Sequence, residues 1–245
     1  MSALAGAEDP PALELEGVRA CYGRIEVLHG VSLALPRSRV MALLGPNGAG
    51  KSTTLKVASC RLRPSAGTVR FAGRPVDRRL GPDALARSGV CSIPEGRGVF
   101  PNLTVAENLR MWTFRGVSRS EVEERTYQRF PRLKERAKQL AGTLSGGEQQ
   151  MLAMSRALST DPSVLLLDEI SMGLAPIVVA ELYETVAQLA RQGIAILIVE
   201  QFAKTALAVA DEAAIMVQGR IEARGSPEEI ADRAAGAYLG HSRRP

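Results

Sequence analysis

VMALLGPNGAGKS, Val40 to Ser52, sets a short apolar run against a glycine-rich turn, and a helical pattern opens at Lys51. Within it GPNGAGKS, Gly45 to Ser52, fits the P-loop pattern G-x-x-x-x-G-K-[ST] in its confirming context, a strand before and a helix after. The glycines let backbone N–H groups converge on phosphate oxygens without interference from a Cβ. The helix that follows adds its positive end, and Lys51 brings a point charge to the β- and γ-phosphates of a nucleotide. The Ser52 hydroxyl is a hard oxygen donor suited to Mg²⁺. Gly45, Pro46, Asn47, Gly48, Ala49, Gly50, Lys51, Ser52 and Thr53 are therefore the candidate phosphate cradle. The plain alternative is a glycine-rich turn that happens to precede a helix.

Further buried runs lie downstream. SVLLLDE (Ser163–Glu169) and IAILIV (Ile194–Val199) flank a helical stretch, Ile177 to Gln192, that Gly193 can terminate. Continuous apolar strands alternating with helices of this length predict a parallel α/β sheet. LELEGVRACY, VSLALP and GTVRFAG alternate nearer to period two, as antiparallel strands do. Thr104 to Leu144 carries no strand signal and offers two capping-box patterns, Thr104-x-x-Glu107 and Ser118-x-x-Glu121, which predict a helical subdomain inserted into the core. AAIMVQGRIEARG reads as a hairpin, and Ser226-Pro-Glu-Glu229 as a helix start with Pro at the first helical position.

The 245 residues are enough to bury a core without staples, and 45% apolar with 23% charged residues fits a soluble globular protein. No apolar run approaches the roughly 18 residues that span a bilayer. The N-terminus has no basic region followed by an apolar one, so it does not read as a signal peptide. Cys21, Cys60 and Cys91 are widely spaced and form no CxxC pattern, which argues for a reducing compartment and against a zinc site. His29 and His241 are the only histidines, too few for a metal hydrolase or a Ser–His relay. The net charge of +5 and an aromatic content of 4% favour a polyanionic ligand or a place near a membrane over a nucleic-acid stacking surface.

Two further motifs carry chemistry. In VLLLDE, Val164 to Glu169, Asp168 emerges at the strand's C-terminal edge, where it can hold Mg²⁺ through water. Glu169 follows, placed to polarise a water for in-line attack on a γ-phosphate. In LSGGEQQ, Leu144 to Gln150, Ser145-x-x-Glu148 is formally a capping box and, read plainly, only a helix start. Two glycines just inside a helix are costly. They make sense if the backbone must approach an anion closely, with the Ser145 hydroxyl added. A second phosphate-binding helix end cannot easily serve the same nucleotide within one compact chain, so service in trans across a dimer is expected.

With these motifs the chain resembles the ATP-binding cassette (ABC) ATPases, whose signature is LSGGQ-like, over essentially Leu13 to Gly240. The resemblance implies an α/β fold: a P-loop ABC ATPase core with an antiparallel β subdomain and an inserted α-helical subdomain, approximately residues 102–158. Residues 1–12 are then a flexible lead and 241–245 a basic tail. It also implies two such domains stacked head-to-tail around two ATP molecules with Mg²⁺. Ser145, Gly146, Gly147 and Glu148 would serve the partner's ATP, and Tyr22 would stack on adenine, the alternative being an ordinary packing aromatic.

SIPEGRGVFPNLTVAENL (Ser92–Leu109), DEISMGLAPIVV (Asp168–Val179), IVEQ and the terminal AYLG look like the ATPases of branched-chain amino-acid importers, specifically the partner of the pair that carries PEGR and VEQ. Glu95 falls at the Q-loop position, where a carboxylate can approach Mg²⁺ in place of the usual amide. Gln201 falls at the switch position, usually a histidine, and can donate to the γ-phosphate but cannot shuttle a proton. Glu200 receives no role. Ile170 stands where the family usually has proline, Cys60–Arg61 replaces a Gly–Leu-like pair, and Met172 occupies a variable place in the D-loop.

The implied partners are a second ABC ATPase subunit (heterodimer favoured, homodimer open), two transmembrane permease subunits and, indirectly, an extracytoplasmic solute-binding protein, with no nucleic acid. The implied location is peripheral, on the cytoplasmic face of the inner membrane. Relatives that serve urea or short-chain amides remain an alternative. A soluble ABC ATPase acting on ribosomes or nucleic acid is another, although those usually carry two cassettes or a long coiled-coil insertion. A P-loop kinase or GTPase would leave LSGGEQQ unexplained.

Overall fold

The structure, a computed structural model, describes residues 9–77, 81–96, 98–113, 117–201 and 203–240. The basic tail and most of the N-terminal lead fall outside them, as do Arg97 of PEGR and Phe202 after VEQ. The chain opens with β1 (Leu13–Tyr22), β2 (Ile25–Leu35), β3 (Val40–Leu44), α1 (Lys51–Ala58), β4 (Ala66–Phe71) and β5 (Arg74–Pro75). It continues through α2 (Pro82–Arg87), β6 (Val90–Ile93), α3 (Val105–Arg110), α4 (Arg119–Arg129), α5 (Pro131–Glu135) and α6 (Gly146–Thr160). Last come β7 (Val164–Asp168), α7 (Pro176–Arg191), β8 (Ala195–Glu200), α8 (Ala203–Leu207), β9 (Glu212–Val217), β10 (Arg220–Gly225) and α9 (Pro227–Gly240).

One sheet is antiparallel, in the order β2-β1-β4-β5; the other runs β10-β9-β3-β8-β7-β6, parallel except for the β9–β10 hairpin. The apolar runs are continuous because the parallel sheet has a core on each side. Val40, Ala42 and Leu44 of β3, Leu165 and Leu167 of β7, and Ile196 and Ile198 of β8 pack with residues of α3 to α7. Their neighbours Met41, Leu43, Leu166, Leu197 and Val199 pack with β1, β2 and α1. With both faces dry, the period-two signal vanishes. In β1 alternation survives but slips where the register to β2 shifts between Leu15 and Val18.

The helical segment forms as the capping patterns predict, with one difference. Thr104 makes both bonds of a capping box with Glu107. Ser118 accepts from the Glu121 N–H, but the Glu121 carboxylate turns to Arg125 one turn on, where a charged partner outcompetes a backbone N–H. The strand β6 and the short helix α2 had no sequence signal strong enough to announce them.

Cys60 explains how the chain leaves α1. It adopts a left-handed conformation (φ 57°), its N–H donates to Val57 O (3.0 Å), and the Arg61 N–H donates to Lys56 O (2.8 Å). That is a Schellman termination with cysteine in the place that suits glycine, at a cost of about 1–2 kcal/mol for an L-residue. Cys60→Gly is expected to raise the free energy of unfolding by about 0.5–1 kcal/mol, after the greater chain entropy of glycine is set against it. Urea denaturation measures this, and a lower stability would contradict the account.

Candidate active site

Parallel pairing brings three segments to one edge. β3 is in register with β8 (Leu44 opposite Glu200) and β7 with β8 (Asp168 opposite Val199), so Gly45, Glu169 and Gln201 leave the sheet side by side. The carboxyl edge of such a sheet is where ligands bind in α/β folds. β6 flanks β7, and the exposed Glu95 lies two residues beyond its end.

The P-loop is shaped from behind by a hairpin that sequence reading did not connect to it. The turn between β9 and β10, Gln218–Gly219, has positive φ at both residues (45° and 74°). The Gly219 N–H donates to Ala49 O (2.8 Å), and Gly219 O accepts from the His29 N–H (2.9 Å), which pins the loop to the antiparallel sheet. A Cβ on Gly219 would lie 2.0 Å from Val27 O, and one on Gly45 would lie 2.2 Å from Met216 O. Glycine at these two positions is thus required by backbone packing.

Lys51 is buried (4% exposed). Its Nζ donates to Gly45 O (2.9 Å) and Pro46 O (3.2 Å) and lies 3.6 Å from Glu169 Oε1. These oxygens offset the cost of taking an ammonium out of water. Glu169 turns away from the strand through a left-handed conformation (φ 47°), and its N–H donates to Val199 O (2.9 Å). The Ser52 hydroxyl donates to Asp168 Oδ1 (3.0 Å).

Burial pushes the Asp168 carboxyl above its ordinary pKa; the Ser52 hydrogen bond opposes this, the charges of Glu169 and Glu95 add to it, and Lys51 opposes. Ser52 and Asp168 together offer a hydroxyl and a carboxylate oxygen to a hard cation. Among the described residues no cluster of three or more His, Cys, Asp or Glu could hold a metal by itself. Mg²⁺ keeps waters and takes the rest of its octahedron from substrate phosphates, so two protein oxygens suffice for it.

Tyr22 is 44% exposed, unlike a packing aromatic, and the Lys56 ammonium sits 5.6 Å from its ring centroid and 3.3 Å from its hydroxyl. The ring therefore lies open beside α1. Ser145 caps α6 reciprocally with Glu148, whose carboxylate also pairs with Arg136. Ser145 is exposed, and none of these partners belongs to the P-loop. Gly147 has a reason that the sequence did not reveal: a Cβ there would lie 2.6 Å from Val178 Cγ1 on α7. Gln201 is half-buried, one residue past β8.

Glu200 does not surface at the strand end. It is buried, and its Oε1 accepts from the Ser171 N–H (3.0 Å) and the Tyr183 hydroxyl (2.9 Å). Ile170 is also buried (2% exposed), so an apolar contact fixes the turn after Glu169 where proline was the expectation.

A P-loop, an acidic strand end beside it and an exposed capped helix of Ser-Gly-Gly sequence define a nucleotide-hydrolysing protein of the cassette type. The ABC transporter family model matches residues 28–171. The chain is 42% identical over 212 residues to the high-affinity branched-chain amino acid transport ATP-binding protein BraG of Pseudomonas aeruginosa, covering 85% of this chain and 90% of that protein. It is 35% identical over 217 residues to the probable branched-chain amino acid transport ATP-binding protein LivF of Archaeoglobus fulgidus, covering 87% and 91%. The crystal structure of the ADP conformation of MJ1267, an ATP-binding cassette of an ABC transporter, superposes with a TM-score of 0.81 at 27% identity, over 94% of this chain and 98% of that one. The chain belongs to the ABC transporter family, as one of its ATP-hydrolysing subunits.

The site yields two expected outcomes. Gly147→Ala should lower thermal stability, and adding Val178→Ala should recover most of the loss by clearing the space the Cβ needs; no recovery would show that Val178 is not the obstacle. The second concerns pH. Because Asp168 holds its proton more tightly in the fold than in the unfolded chain, its contribution to stability is complete below its ordinary value of 3.8 and is lost as pH rises through the raised one. In nucleotide-free, chelator-treated protein, the melting temperature of Asp168→Asn relative to the unaltered chain should therefore climb as pH is raised across that range, whereas a pH-independent difference would contradict the shift.

Proposed function

We propose that this protein is the ATP-hydrolysing subunit of a branched-chain amino-acid importer, held peripherally at the cytoplasmic face of the membrane by permease subunits. The single observation that carries the reading is the edge where Lys51, Ser52, Asp168 and Glu169 meet, on a chain 42% identical to a branched-chain amino acid transport ATP-binding protein. No described helix is long and apolar enough to cross a membrane.

Gly45 to Thr53 wraps the phosphates, with Lys51 moving its donors from loop carbonyls to phosphate oxygens. Tyr22 stacks on adenine, which suits an exposed ring. Ser52, Asp168 and Glu95, which acts on Asp168 electrostatically, would hold Mg²⁺, and the ion would screen the phosphate charge. Glu169 orients the attacking water, and Gln201 donates to the γ-phosphate. Ser145, Gly146, Gly147 and Glu148 complete the site of a second ATPase subunit, a different one by the reading favoured above. Their separate hydrogen-bond circle and exposed serine support service in trans. We take residues 13–240 as the ATP-binding domain, with 102–158 as its helical subdomain.

A cavity of about 270 Å³ between the parallel sheet and the helical segment supports a docking place for the permease. It is lined in part by Arg61, Leu85, Phe100, Met111 and Trp112. Phe100 and Met111 are exposed apolar side chains there, and the buried Trp112 Nε1 and Arg156 Nε have no hydrogen-bond partner among the described residues. Phe100 belongs to the segment from Glu95 to Asn108, which we take as the part of the chain that makes the contact.

Uptake measured after gene deletion, with branched-chain amino acids, urea and short-chain amides, tests the solute: loss of branched-chain uptake alone is expected, and uptake of all unchanged overturns the assignment. Glu169→Gln should abolish turnover but still bind ATP, and near-normal hydrolysis would exclude Glu169 as the main catalytic carboxylate. Lys51→Ala should weaken nucleotide binding by about 1.5–3 kcal/mol, the range of a charge-assisted contact. With Gln201 unable to shuttle a proton, this site turns over more slowly than a histidine-bearing one, so Gln201→His should raise the rate of the assembled complex.

A further inference from the structure

We propose that Glu200 is a positioning residue for hydrolysis, holding the Glu169 loop in register with the P-loop from inside the sheet. The inference rests on the reading of Glu169 as the carboxylate that orients water. Glu200 ends β8 directly opposite Leu44, the last strand residue before Gly45, and is 1% exposed. One of its oxygens, Oε1, takes two donors from two different elements. The Ser171 N–H, two residues after Glu169, reaches it at 3.0 Å, and the Tyr183 hydroxyl, in the second turn of α7, reaches it at 2.9 Å.

The start of the connection that leaves Glu169, through Ser171, and the helix α7 that follows it, through Tyr183, are thus fastened to one atom. That atom belongs to the strand whose other neighbour leads into the nucleotide loop. Glu169 itself is tied to β8 by its own N–H on Val199 O, the residue before Glu200. Without the Ser171 bond the left-handed turn at Glu169 loses its second anchor on β8, and its carboxylate loses its fixed height above the sheet. A misplacement of about 1 Å at a reacting group can cost about a hundredfold in rate.

Burying a carboxylate for this task is expensive unless it is fully engaged. The two donors on Oε1 offset part of that cost. A buried amide would keep an acceptor for these donors, whereas an alanine would leave a backbone N–H and a phenol hydroxyl unpaired in the interior. Side-chain identity at 200 therefore reaches catalysis through the loop and not through contact with nucleotide. The expected signature is a fall in turnover with little change in ATP affinity, together with faster opening of the Ser171 amide.

The test measures kcat and KM of the assembled complex with MgATP, and hydrogen exchange at Ser171 in the full-length purified chain, for Glu200→Ala, Glu200→Gln and Tyr183→Phe. Glu200→Ala is expected to lower kcat about tenfold or more, leave KM within about twofold and speed Ser171 exchange, while Glu200→Gln keeps kcat within about threefold. A Glu200→Ala protein with kcat within twofold of the unaltered chain overturns the proposal, as does a Glu200→Gln protein as slow as Glu200→Ala. If Glu200→Ala does not fold, the Glu200→Gln, Tyr183→Phe double variant decides by the same criteria against its two single variants. Glu169→Gln in the same assay separates the two readings: full activity there removes the role of Glu169, whatever Glu200 does.

Discussion

The Lys51 ammonium, closed off from water, lies against the carbonyls of Gly45 and Pro46 and 3.6 Å from the Glu169 carboxylate. Among the described residues it is the only cation in the buried set, and the groups around it come from β3, the P-loop and the end of β7. A lone charge in such a place is tolerated only if oxygens are already positioned for it, so the register of three strands and the docking of a distant hairpin all serve one point. The Gly219 N–H on Ala49 O shows how far this reaches: the β9–β10 turn, some 170 residues along the chain, sets the shape of the loop that holds Lys51.

The carboxylates around that point are graded by burial. Asp168 and Glu200 are held above their ordinary range chiefly by desolvation, and each feels the charge of Glu169 between them. Asp168 is balanced by Ser52 and Lys51, a pairing that a cation and phosphates would extend. Glu200 is balanced by Ser171 and Tyr183, which belong to the loop after Glu169 and to α7. Similar residues on neighbouring strand ends thus have different work because their hydrogen-bond partners differ.

Much of this was legible in the sequence where a pattern has a local cause. β1, the α1 start at Lys51, the capping boxes at Thr104 and Ser145 and the β9–β10 hairpin all depend on residues within a few positions of each other. Gly45 to Ser52 and VLLLDE declared the site in the same way. Less legible was whatever depends on contacts between distant segments. Glu200 receives no role from the sequence because its partners Tyr183 and Ser171 are linked to it by no spacing rule. Gly147 reads as a phosphate-binding glycine, but the crowding by Val178 comes from α7. The four-residue β6 is too short to announce itself, and it becomes a strand by pairing with β7.

In the proposed function, ATP phosphates bind at the shared edge of β3, β7 and β8. Backbone amide NMR of the purified chain, recorded with and without MgATP, tests this directly. The largest chemical-shift changes should fall at Gly48 to Thr53 and at Asp168 and Glu169. Changes confined to other parts of the chain, with these amides unmoved at saturating nucleotide, would contradict it.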